Sequence, residues 1–382
     1  MTAVSKGRLI PAAILAILVY GMIAAMLGAL LPELSKRDNL TPEQNGVLAL
    51  VQALGLSVAS IPAGPLIDNK GKKTGLVLAL GIITASLFAL PNVRGYEMIL
   101  ACWFVLGFGG GILVTAANTL VSDIAEEKRS SVLNLLNLFF GLGLMLTPVI
   151  AGELLAGDAI KLCYLVAALS AGTFLLHVTT PMPPPSGERG FKFDQIGALL
   201  GRSALYLLAL QLFLYVAVEV GFSTWLARHL IAQGMPERQA FRSLTGFAFG
   251  ILIGRVVVSR ILIKVSAPVV TLSSAVLMAL TTYLTLQTTD PAATLAIVFC
   301  AGVAMAPVFP TTLGMVGDAF PKATATAMGV VITCGWIGLV ASAPVIGSIA
   351  GDDPKRLATA LLVFPVASGL MILVNLVLLR KP

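Results

Sequence analysis

The sequence predicts an all-α integral membrane protein of twelve transmembrane helices, arranged as two six-helix, pseudo-symmetric bundles. The first observation behind this is composition. Of 382 residues, 57% are hydrophobic and only 11% are charged, with a mean hydropathy of +0.95. A soluble domain carries roughly 25% charged residues. The 25 basic and 18 acidic side chains cannot furnish a polar shell for a body this large, so most of the surface must face lipid. The second observation is a set of twelve apolar runs, near residues 9–32, 45–66, 74–92, 97–121, 131–155, 160–180, 203–227, 241–259, 266–286, 292–315, 323–350 and 356–379. Each approaches or exceeds the about 20 residues that span a bilayer. Lipid offers loose backbone groups no partner, so each run must be helical. The third observation is internal repetition. Asp123 opens a segment that reaches Pro148, Val149 and Ile150, and Asp318 opens one that reaches Pro344, Val345 and Ile346, at offsets of 195 and 196. Gly64 and Gly254 close the second and eighth runs at an offset of 190. Matches at one nearly constant offset mark a six-plus-six duplication.

The halves part at mid-chain. Residues 181–202 begin PMPPPSGERG, a composition that suits an irregular linker. The chain therefore divides into an N-terminal bundle (1–180), a linker (181–202) and a C-terminal bundle (203–382). With the N-terminus placed inside, the inner segments hold sixteen of the basic residues, Arg255 among them, and the outer segments hold nine. That bias puts both termini and the linker in the cytoplasm, and the expected location is a bacterial inner (cell) membrane. The first apolar run is too long for a removed signal and lacks a cleavage site, so it reads as the first helix.

Several classes are disfavoured. The net charge of +7 is topological: no basic stripe with interleaved aromatics occurs, so no nucleic-acid partner is expected. Cys102, Cys163, Cys300 and Cys334 lie in apolar runs without paired spacing, which suggests neither a disulfide framework nor a metal site. The only histidines are His177, read as core packing, and His229, read as solvated at an outer helix end. No nucleophile, base and orienter can be assembled, so an enzyme is not expected and no cofactor is implied. A receptor lacks its usual sizeable extramembrane domain.

The most specific motif is Gly64-Pro-Leu-Ile-Asp68-Asn-Lys-Gly71-Lys72-Lys73, between the second and third runs. Gly64 allows close helix approach and Gly71 permits the turn. Asp68 is an acceptor for a helix N-terminus or a nearby cation, and Arg129 in the next inner loop is a possible partner. The segment resembles the signature loop of the major facilitator superfamily. That resemblance implies the major facilitator fold and an inner gate formed by Gly64, Asp68, Gly71, Lys72 and Arg129, which holds the cytoplasmic side shut. Residues 107–152, 215–226 and 302–347 are similar to the branch containing the fucose permease and the glucose/galactose transporters. This implies a secondary transporter of a small neutral solute, most of all a monosaccharide, working by alternating access and often proton-driven. The sequence departs from the permease in one respect. The first run holds no acid before Glu33, and the fourth has none between Glu97 and Asp123.

Glu219 is the one acid well inside an apolar run, roughly 24 Å from the inner end of the seventh. A charged group at such depth costs about 2.5–3.5 kcal/mol on insertion scales, so it faces a cavity or a partner. Gln211, Tyr215 and Glu219 recur every four residues and share a helix face. They are candidate substrate contacts, with Glu219 the candidate proton carrier; a structural carboxylate paired across helices is the alternative. Tyr20, Gln52, Asn137, Thr333 and Trp336 complete the candidate substrate set. An amide such as Gln211 beside an aromatic such as Trp336 would suit a sugar ring. Asn118 and Asn134 read as interhelical glue. Pro307 and Pro310 in the tenth run, and Gly107 with Gly109, Gly110 and Gly111 in the fourth, mark either bends or close packing. The expected partners are a small-molecule substrate, a co-transported proton and the bilayer, with one chain functional as a monomer. An exporter of amphipathic organic molecules is the alternative within transport. A strongly charged anion is disfavoured because no Lys or Arg is placed at mid-membrane.

Overall fold

The computed structural model describes residues 6–183, 193–350 and 354–380. Among them all regular structure is helical, and twelve spans are long and apolar enough to cross a membrane. Each coincides with one of the apolar runs. The helices are α1 (Lys6–Asp38), α2 (Pro42–Lys70), α3 (Lys72–Ala89), α4 (Tyr96–Ile124), α5 (Arg129–Val149), α6 (Ala159–Thr179), α7 (Phe193–Leu200), α8 (Ser203–Ala232), α9 (Glu237–Ile261), α10 (Ala267–Gln287), α11 (Pro291–Met305), α12 (Val308–Ala319), α13 (Thr324–Ala350), α14 (Pro354–Leu361) and α15 (Val363–Leu379).

Local chemistry sets the helix starts. Thr41 and Gln44 form a reciprocal capping box before α2, with Pro42 in its first turn. Asp158 caps α6, and Asp290 caps α11 ahead of Pro291. These side chains accept from first-turn amides that have no intrahelical partner. Two runs are interrupted. The tenth breaks at Ala306–Pro307 into α11 and α12, since proline removes an amide and crowds the preceding turn. The twelfth divides into α14 and α15. The glycines of the fourth run have the opposite outcome: α4 is unbroken and Gly107, Gly109, Gly110 and Gly111 are buried in it, so they serve close packing. Within 181–202, Phe193–Leu200 forms a helix where an irregular connection was expected. Residues 184–192 of that linker, with Arg189 and Lys192, lie outside the described residues.

The chain forms two compact units. The first comprises residues 1–126, 136–199 and 320–333. In it α4 packs against α2 and α3, and α3 packs against α6. The second comprises 127–135, 200–319 and 334–382. In it α9 packs against α11, α10 against α11, and α10 against α15. Counted by span, the same three pairings recur (second with fourth, third with fourth, third with sixth), so the duplication in sequence is a duplication in packing. Many large apolar side chains stay exposed, among them Leu175, Leu154 and Val366. A lipid solvent accounts for that exposure, which water would not favour.

Candidate functional site

In the second unit, α8 presents Gln211, Tyr215 and Glu219 on one face. Gln211 and Tyr215 are fully buried, and Glu219 is half-buried. Gln211 Nε2 donates to Thr312 Oγ1 of α12 at 2.9 Å, and Thr312 Oγ1 donates to the Val308 carbonyl at 2.7 Å. Among the described residues, the buried polar atoms of this unit that make no hydrogen bond to protein include Gln211 Oε1, the Tyr215 hydroxyl and Trp336 Nε1. An unpartnered buried polar atom costs about 1–3 kcal/mol, and such atoms in a native structure call for an explanation. The Trp336 ring lies 6.5 Å from that of Phe309. The Tyr215 hydroxyl and the Glu219 carboxyl are close neighbours that interact, and the Arg255 guanidinium lies within electrostatic reach of both.

Arg255 is buried, which its place in a basic segment does not reveal. It was counted with the inner basic segments, but its side chain is only 6% exposed, inside α9 and six residues before its end at Ile261. A buried cation therefore stands in the second unit. His229 is a correction: expected in solvent, it is buried at 2% exposure.

The candidate residues of the first unit are placed as follows. Tyr20 is buried on α1, with its ring 5.9 Å from that of Phe140. Gln52 is buried on α2. Asn137 Nδ2 donates to Asn118 Oδ1 at 3.0 Å, tying α5 to α4. Thr333 Oγ1 donates to the Gly329 carbonyl at 2.8 Å and approaches the Ser57 carbonyl at 3.3 Å. Asn134, read as glue, bonds Thr311 Oγ1 at 3.0 Å in the second unit. His177 is buried with Nδ1 2.8 Å from the Thr173 carbonyl, in keeping with a packing role.

The signature loop is tied to the start of α13 within the first unit. Asp68 Oδ1 accepts from the Ala325 amide at 3.2 Å. Its Oδ2 accepts from the Thr326 amide at 2.8 Å and the Thr326 hydroxyl at 2.6 Å. Ala325 and Thr326 lie in the first turn of α13, where amides lack intrahelical partners and the helix dipole favours an anion. Asp68 is thus an N-cap supplied by another helix. Gly64 makes room for it: a Cβ there would fall 2.5 Å from Thr326 Cα and 2.7 Å from the Ala325 carbonyl. Gly71 has φ +91° and turns the chain from α2 to α3. The buried Lys72 pairs with Asp123 at 2.6 Å. Arg129, expected as a possible partner of Asp68, forms a 2.6 Å pair with Asp318 in the second unit.

Five residues of these contacts carry little or no signal in the sequence. Thr312 and Thr326 gave no signal, being ordinary threonines in apolar helices. Arg255 was hidden by its nearness to a basic loop. Asp123 and Asp318 were noticed only as markers of the repeat, yet each accepts a basic residue; their equivalence was the signal that could have assigned both pairs.

Comparison with known proteins agrees with this geometry. The Major Facilitator Superfamily sequence profile matches residues 13–343, and again 243–382. A glucose/galactose transporter of Brucella abortus is 28% identical over 258 residues. That match spans 62% of this chain and 62% of the relative, so the chain matches under two thirds of that protein's length. The solved Escherichia coli fucose:proton symporter FucP superposes with a TM-score of 0.84 at 20% identity, covering 99% of this chain and all of that one. The human organic anion transporter MFSD10 superposes at 0.78 with 16% identity, covering 97% and 99%. These structural likenesses establish the fold. A profile match across most of the chain, on twelve apolar helices paired as a duplicated six, makes the protein a member of the Major Facilitator Superfamily.

Proposed function

We propose that this protein is a secondary transporter that moves a neutral monosaccharide by alternating access, with Gln211, Tyr215, Glu219 and Trp336 as its principal substrate contacts. The observation that carries this reading is the set of buried, unpartnered polar atoms on Gln211, Tyr215 and Trp336. They offer an acceptor, a hydroxyl and a donor beside an aromatic pair, a combination that fits a pyranose with its polar rim and apolar face. The names of its relatives agree: one is a glucose/galactose transporter and one a fucose:proton symporter. Tyr20, Gln52, Asn137 and Thr333 are proposed as further contacts, and Glu219 as the proton carrier. Arg255, close enough to act on Glu219, is proposed as its ion-pair partner. The latch built from Gly64, Asp68, Gly71 and Lys72, with the Arg129 pair beside it in function, is proposed to hold the cytoplasmic gate closed. On the same reading the chain divides functionally at 181–202 and works as a monomer in a bacterial inner membrane with cytoplasmic termini.

The deciding experiment is uptake of labelled monosaccharides into proteoliposomes. Saturable, stereospecific uptake of one sugar supports the reading. Absence of any sugar uptake, together with robust movement of organic anions or amphipathic dyes, would replace it with the efflux alternative that the buried Arg255 allows.

A further inference from the structure

We propose that Thr312 is a positioning residue: it locks the Gln211 side-chain amide with its oxygen toward the ligand, so that the site selects a hydroxyl at that point. This inference rests on Gln211 being a substrate contact and specifies what that contact reads.

A threonine hydroxyl has one hydrogen and two lone pairs. The hydrogen of Thr312 is used on the Val308 carbonyl, 2.7 Å away. Thr312 Oγ1 can therefore only accept from Gln211. The 2.9 Å contact between the two side chains is made by the amide nitrogen; turning the amide over would require the Thr312 hydrogen to leave the Val308 carbonyl. Carbonyl, hydroxyl and amide thus form a polarised chain that begins on the backbone of α12 at Val308, just after the break at Ala306–Pro307. The chain ends at Gln211 Oε1, which lies on a fully buried side chain and has no protein partner. Glu219 follows two turns along the same face, and as a carboxylate it also accepts. This pole of the site asks for a donor. A free sugar hydroxyl satisfies it. Fluorine or an ether oxygen at the same carbon does not, because neither can donate.

The test uses the full chain in proteoliposomes with tritiated D-glucose as the probe and the monodeoxyfluoro-D-glucoses as competitors, position by position. In the wild type, fluorine at one position should weaken competition roughly tenfold or more relative to D-glucose. Thr312→Val frees the amide to turn and donate, so the penalty at that position should fall below about threefold. Thr312→Ser keeps the chain and should keep the penalty. A purely structural role would weaken glucose and every analogue alike and leave the ratios unchanged. Absence of any fluorine penalty in the wild type, or its persistence in Thr312→Val, would overturn the proposal. If the wild type takes up no D-glucose, the reading of this probe as substrate fails, and the amide is examined directly in 15N-glutamine-labelled protein in nanodiscs. The Gln211 signals are those lost in Gln211→Glu. One of its two amide protons should be shifted and protected from exchange, in Thr312→Ser as in the wild type but not in Thr312→Val. Gln211 signals unchanged in Thr312→Val would refute the lock independently of any sugar.

Discussion

Replacing Asp68 with asparagine removes an acceptor where the structure needs two. Oδ2 holds both the amide and the hydroxyl of Thr326, and Oδ1 holds the Ala325 amide. In Asp68→Asn one oxygen can keep the Thr326 pair, but the other becomes an NH2 aimed at the Ala325 amide. One hydrogen bond to a charged group is lost, worth about 1.5–3 kcal/mol. The favourable meeting of charge and helix dipole is lost as well, worth about 0.3–1 kcal/mol at a surface and up to about 2 kcal/mol in partly buried geometry. Together these give about 2–4 kcal/mol at the start of α13. Hydrogen exchange with mass-spectrometric readout of peptides covering 320–333 measures this directly. The Ala325 and Thr326 amides should exchange about 30- to 1000-fold faster, with the helices away from the latch unaffected. If those amides exchange at the wild-type rate in a variant that melts normally, Asp68 does not cap α13 and the latch is misassigned.

Gly64→Ala puts a Cβ against the backbone at Ala325 and Thr326 and should cost about 1–3 kcal/mol through forced displacement; combined with Asp68→Asn it should cost less than the sum, and full additivity would show that the two residues support different contacts. Glu219→Gln should abolish uphill accumulation of the transported sugar but leave exchange intact, whereas unchanged accumulation sinks the proton-carrier role. Asp158 accepts from the Lys161 amide at 2.9 Å, and that bond with the nearby Lys161 holds its carboxyl below the usual carboxylate range. A depressed folded-state pKa gives stability that is present at neutral pH and lost as pH falls through the folded value. The 159–162 amides should therefore open in acid in the wild type and show no such acid step in Asp158→Asn; an acid step in both would assign it elsewhere.

The sequence made the spans legible because lipid leaves the chain few choices. A run of some twenty apolar residues must be helical, and α3, α6, α10 and α13 begin and end within about three residues of their runs. Ends were less legible where polar residues extend a helix beyond its apolar stretch, as at Arg228 to Ala232 of α8 and Glu237 to Ala240 of α9. The signature loop could be read because its spacing is local. Its partner could not. The amides that Asp68 caps lie 257 and 258 residues away in a stretch with no distinguishing chemistry, and helix-cap reasoning looks only a few residues ahead. The site shows the same division. The four-residue spacing of Gln211, Tyr215 and Glu219 placed them on one face, but Thr312, which decides how the Gln211 amide points, comes from a helix 101 residues on.

Residues 320–333 pack in the first unit and 127–135 in the second. The two packed bodies therefore do not coincide with the two duplicated stretches of chain. A cut between residues 183 and 193 would yield fragments that each lack a piece of the body they mostly form. Asp68 would then have to find its α13 amides by bimolecular collision. Covalent continuity of the chain thus sets the effective concentration at which Asp68 meets its α13 amides. Lengthening the connecting segment with a flexible insert should weaken the Asp68 cap gradually, while severing it should make the cap depend on how much of each fragment the membrane holds.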